Sequence, residues 1–124
     1  MAANRIKREI LIRAGSIAVR ARLLDTPTAD RMWQMLPIYT TAEMWSGALA
    51  FQAPVSIATH CSSTRRLEQG EIAVCAAEHR VLIACGPGSD ELVSCSIWAL
   101  ALDDVTALAG VRLGDRVALL EADS

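Results

Sequence analysis

The sequence predicts a mainly β fold, a closed or nearly closed barrel of seven or eight short strands with a helix over one end. Three observations lead there. Short apolar runs recur along a chain of 124 residues and are separated by Gly, Pro, Ser and Asp turns. Only one segment, near residues 27–36, has clear helical periodicity. And at this size, strands of about five or six residues need closure or a cover to hide their edges.

Glu9–Ala14 and Ile17–Leu23 are the first two strands, joined by a hairpin turn at Ala14, Gly15 and Ser16. In the second, Ile17, Val19 and Ala21 alternate with Ala18, Arg20 and Arg22, so one face is wet. The helix comes next. Thr26 suits the cap, and Pro27 suits the first helical position, where a missing N–H costs nothing. Ala29, Met32, Trp33 and Leu36 form one apolar stripe and Pro37 ends it, giving a helix over about 27–36.

Ile38–Ile57 is strand-like and broken at Ser46-Gly47 and at Pro54, while polar Ala58–Gln69 is expected as the longest loop. Ile72–Ala76 and Val81–Cys85 flank a polar turn at Glu78, His79 and Arg80 and read as a hairpin buried on both faces. A loop from Gly86 to Glu91 leads to a strand over Ile97–Leu102. Asp103 or Asp104 can cap a short second helix over about 104–109, closed by Gly110, and Arg116–Glu121 is the last strand.

The chain is expected to be one domain spanning 1–124, with residues 1–8 a flexible N-terminal extension. An apolar fraction of 52% and a charged fraction of 21% describe a globular chain. A net charge of -2 without a polybasic block argues against nucleic acid as a partner. The charge is uneven, +5 through Arg66 and -7 after it; it reads first as scattered solvated charge, the alternatives being a dipolar surface or association of copies as a homo-oligomer. No secretory leader or membrane-spanning run is apparent, so the expected compartment is the cytoplasm. Cys61, Cys75, Cys85 and Cys95 have no C-x-x-C spacing, so neither a zinc ribbon nor a dithiol motif is expected; Cys75 and Cys85 lie in apolar runs as small hydrophobes.

Gly15 to Ala29 resembles the first hairpin and helix start of cyclophilins, where a glycine turn, a strand, an acidic residue and Pro-x-Thr-Ala follow in order. Ile97–Leu108 resembles their late strand and last helix. The chain is more similar still to the small cyclophilin-like proteins of bacteria and archaea. Thr28-Ala29, Leu36-Pro37, Trp45, Phe51, Pro54, Gly70-Glu71 and Gly86 stand in that family's order over about Glu9–Glu121. The resemblance implies an eight-stranded barrel with a helix at each end.

The departures bear on function. Where that family has Trp-Gly-x-Glu-Ile-Tyr-Phe, this chain has Ala48 in place of the Glu and Ala50 in place of the Tyr, between Trp45 and Phe51. Val74, Cys75, Ala76 and Ala77 stand for Tyr-Trp-Pro-Pro, and Ala84, Cys85 and Gly86 for Phe-Phe-Gly, which suggests a widened or emptied pocket. The Arg, Gln and aromatic run of true cyclophilin isomerases is missing, so the proline seat is recognisable only in outline and the donor that isomerisation needs is not found.

Other chemistry reads weakly. His60-Cys61 are sequence neighbours that point apart on extended backbone, and Glu78-His79 reads as a solvated turn. Gly86, Pro87, Gly88 and Ser89 could present N–H groups to an anion, but no helix follows and Pro87 lacks a donor. The sequence thus points to a non-catalytic module binding a small molecule or a peptide, with Trp45, Phe51, Gly86 and Ser89 as candidate ligand contacts and no catalytic residue, metal ligand or cofactor assigned. Trp45 and Phe51, as core or as the wall of a cleft, have the same parity on one extended run and are expected on a common face unless Ser46-Gly47 forms a bulge. The alternatives are a residual prolyl isomerase or other enzyme, and an accessory subunit of a larger complex.

Overall fold

The structure, a computed structural model, describes residues 8–45, 48–53, 63–75, 79–86 and 92–122. Among the described residues there are nine strands: β1 Glu9–Ala14, β2 Ile17–Leu23, β3 Ile38–Trp45, β4 Ala48–Gln52, β5 Ser63–Arg65, β6 Glu71–Cys75, β7 Arg80–Ala84, β8 Val93–Ala101 and β9 Arg116–Glu121. One α-helix, α1, spans Pro27–Met35, and a short 3₁₀ segment spans Thr106–Gly110. Eight strands form a ring in the order β2-β1-β9-β3-β4-β7-β6-β8, every pairing antiparallel. Three pairs, Ala21–Ala101, Arg22–Leu100 and Leu23–Ala99, join β8 back to β2. Ring closure leaves few free edges for another chain to pair with.

The first elements form where local chemistry predicts. Gly15 turns the β1–β2 hairpin at φ +59, and its N–H donates to the Arg116 carbonyl at 2.9 Å. A side chain there would be strained and would crowd Asp115 Oδ2 at 3.3 Å. Thr26 Oγ1 accepts from the Ala29 N–H at 3.1 Å, satisfying one free donor of α1. Leu36 is extended at ψ 147, as the residue before a proline prefers, so the helix stops at Met35. A Thr26→Ala variant is expected to lose about 1 kcal/mol of stability, read by urea denaturation, while Thr26→Ser keeps most of it. Arg8 is tied to this helix: it pairs with Asp30 at 2.7 Å, and its guanidinium lies 5.9 Å from the Trp33 ring centre.

Alternation builds the interior. Ile10, Ile12 and Ala14 of β1, Val19 and Ala21 of β2, Ile38 and Ala42 of β3, and Val117 and Leu119 of β9 all face inward and are buried. The β6–β7 hairpin departs from alternation because both its faces are covered. Ile72, Val74, Val81 and Ile83 enter the ring's core. Ala73, Cys75, Leu82 and Ala84 join Ala50, Leu67 and Cys95 in a second apolar layer outside it. The small residues read as emptying a pocket are instead buried in these two layers, Cys75, Ala84 and Cys85 each 4–6% exposed. Ala76 and Ala77 lie outside the described residues.

The polar stretch 58–69, expected as a loop, contains β5, which pairs with β8 at Ser63–Cys95, Thr64–Ser94 and Arg65–Val93. Leu67 follows it and is 3% exposed within the outer layer. Glu71 fastens this cover: its carboxylate accepts from the Arg65 guanidinium at 2.9 and 3.2 Å and from the Glu68 N–H at 2.7 Å. Strand β8 starts at Val93, four residues before the expected Ile97, because β5 and β6 pair with its first half.

The second helix, expected over 104–109, is the 3₁₀ segment 106–110. Asp104 opens it, accepting from the Thr106 N–H at 2.9 Å and its hydroxyl at 2.7 Å. Asp103 pairs instead with Arg20, whose backbone N–H and guanidinium hold the Asp103 carboxyl below the usual range.

Candidate ligand-binding site

A groove of about 610 Å³ opens on the outer face of β1, β9 and β3. Two register rows make it. Arg13 of β1 pairs with Ala118 of β9, which pairs with Tyr39 of β3. One step along, Arg116 pairs with Thr41, and Gly15 stands against Arg116. Ala118 is therefore a low point between two long side chains, and Arg116, two residues before it, rises on the same face. Tyr39 is 72% exposed, an unusual setting for a large ring.

The groove's charge follows from its pairing. Arg8, Arg20, Arg22, Arg65 and Arg80 each stand beside a carboxylate. The Arg80–Glu43 contact, 3.0 Å, is ionic; neither atom forms a directed hydrogen bond there. Among the described residues, Arg13 and Arg116 meet no carboxylate, and none of the described groove residues is acidic. Arg13 and Arg116 hold diagonal positions of neighbouring strands, and two like charges on one face repel each other and attract an anion.

The candidate contacts read from the sequence are divided. Trp45 pairs with Ala48, and Ala48 with Ala84, two residues before Gly86, so Trp45 and Gly86 share one end of the ring. Phe51 lies three residues further along β4, paired with Val81, and is fully buried in the ring's core. Trp45 holds the register position opposite Ala48, and its side chain lies outside what the structure describes. Gly86 is half-buried, and Ser89 lies outside the described residues. Gly70, at φ +92, closes this end through N–H donation to the Ala84 carbonyl at 2.8 Å.

Sequence reasoning missed Arg13, Tyr39 and Arg116. Arg13 is conspicuous as the charge that breaks the Ile10–Ile12 run, but nothing local pairs residue 13 with residue 118.

Other reactive groups fit structural roles. Cys75, Cys85 and Cys95 are reduced and buried. Burial pushes the Cys85 and Cys95 thiols up, which keeps them protonated and weakly nucleophilic. Among the described residues no group of three or more His, Cys, Asp or Glu could hold a metal ion. His79 holds a left-handed turn at φ +55, and its carbonyl accepts from the Ala53 N–H at 3.0 Å. Cys61, His60 and Glu78 lie outside the described residues. No helix among those described is long and apolar enough to cross a membrane.

The chain is similar to two solved structures. It superposes on the solution structure of the hypothetical protein AF2241 from Archaeoglobus fulgidus with a TM-score of 0.76 and 20% identity, covering 98% of this chain and 100% of that one. It also superposes on McbB, solved in complex with tryptophan, with a TM-score of 0.75 and 13% identity. That match covers 93% of this chain but only 45% of McbB. At these identities the likeness concerns the fold. No curated protein matches the chain. The cyclophilin-like family matches residues 8–96, well over half of the sequence and from the first strand into the eighth. The chain belongs to the cyclophilin-like family.

Proposed function

We propose that this chain is a non-catalytic cyclophilin-like module that binds a small molecule or a partner peptide. The observation that carries the reading is the outer groove, which is concave, positively charged and walled by groups that donate hydrogen bonds. McbB supports a small molecule as occupant, because that structure of similar fold holds tryptophan. The Trp45–Gly86 end is a second rim for a ligand or peptide, while Phe51 supports from within the core.

The test is a binding screen on the whole chain. Amino acids, small carboxylates and capped proline peptides are titrated while backbone amide shifts are followed by NMR. Saturable shifts at the groove or at Gly86 are expected. The binding reading is overturned by a panel that produces no saturable shift. The non-catalytic part is overturned by acceleration of prolyl isomerisation that disappears when groove or rim residues are changed.

A further inference from the structure

We propose that the outer groove is a site for a small aryl carboxylate, its carboxylate shared by Arg13 and Arg116 and its ring lying on Ala118 beside Tyr39. The proposal deepens the binding reading above and rests on it.

Charge selects the anion. Arg13 and Arg116 occupy diagonal positions of β1 and β9, project from the same outer face and meet no carboxylate among the described residues. Each guanidinium offers a planar fork of donors that matches a carboxylate, and one carboxylate between them relieves their mutual repulsion. Thr41, paired with Arg116, brings a hydroxyl to the same end.

Shape selects the body. A volume of about 610 Å³ far exceeds an inorganic anion and falls in the range of small-molecule sites. The low point is the Ala118 methyl, with the aliphatic stem of Arg13 on one side and the Tyr39 ring on the other. A flat apolar group fits that slot and can pack against the exposed phenol ring. Open geometry and surface exposure make this a weak, exchangeable site.

The probe is 2-naphthoate, titrated into the full chain by NMR and calorimetry, with its neutral counterpart 2-naphthylmethanol and inorganic phosphate as comparison arms. Arg13→Gln, Arg116→Gln, Tyr39→Ala and Ala118→Phe are prepared; Arg13, Tyr39 and Arg116 are exposed, and circular dichroism checks that each variant is folded. Naphthoate is expected to shift the amides of Thr41, Val117 and Ala118 and to bind about tenfold more weakly in each Arg variant. Tyr39→Ala should weaken it several-fold, and Ala118→Phe, which fills the slot, should abolish it. Naphthylmethanol should bind at least about tenfold more weakly than naphthoate.

Unchanged affinity in the Arg13→Gln/Arg116→Gln double variant overturns the assignment. So does phosphate that displaces naphthoate at equal concentration, which would make the groove a simple anion hole. Shifts confined to the Trp45–Gly86 end sink this site and leave the module's binding function standing. A chain that binds neither naphthoate nor any member of the broader panel loses both.

Discussion

Replacing Trp98 by Ala is expected to cost about 3–5 kcal/mol, a large share of the stability of about 5–15 kcal/mol typical of such a domain. Among the described residues Trp98 is the largest fully buried side chain. Its place comes from an irregularity in the β6–β8 ladder. Ile72 pairs with Ala99 and Ala73 with Ile97, so Trp98 is the extra residue of a bulge. The bulge brings Trp98 and Ala99 together into the ring's core, while Ile97 faces the outer layer. The Trp98 carbonyl accepts from the Leu24 N–H at 2.9 Å, joining the bulge to the approach of α1.

The indole Nε1 is buried without a hydrogen-bond partner, a burden of about 1–3 kcal/mol carried by the native state. Trp98→Phe removes that burden together with part of the ring. Its net loss is therefore expected to stay within about 1 kcal/mol, the lost burial of the larger ring being offset. Urea denaturation followed by far-UV circular dichroism separates the two variants. A Trp98→Phe loss near that of Trp98→Ala would mean that the indole N–H finds a partner in solution, such as an ordered water.

This bulge shows where the sequence stops being informative. Local signals are faithful: Gly15 marks its turn, Thr26 and Pro27 start the helix, and β1, β2 and β9 have the bounds their alternation implies. Strand β5 has no such signal, since Ser63, Thr64 and Arg65 alternate nothing apolar; they are extended because β8 offers them a ladder. The outer groove is hidden for the same reason. Arg13, Tyr39 and Arg116 are unremarkable alone, and become neighbours only through pairings that join residue 13 to 118 and 39 to 118.

The hairpin of β6 and β7 offers the second large test, because its neighbouring residues stabilise different layers. Leu82→Ala and Ile83→Ala are each expected to cost about 2–4 kcal/mol. In a strand with one wet face, only one of two consecutive side chains would matter. Here Leu82 is 2% exposed in the outer layer with Leu67, Cys75 and Cys95, and Ile83 is fully buried in the ring's core. The two losses should differ in what they disturb. Ile83→Ala opens the common core, so amide exchange should quicken around the whole ring. Leu82→Ala opens the layer that β5 and Leu67 cover, so exchange should quicken first at β5 and the start of β8, where the cover is held by three residue pairs and by Glu71. A Leu82→Ala variant with native stability and unchanged exchange at β5 would show that the cover does not pack on this strand. The outer face of the hairpin would then be open surface, and the small residues beside it would again outline a pocket.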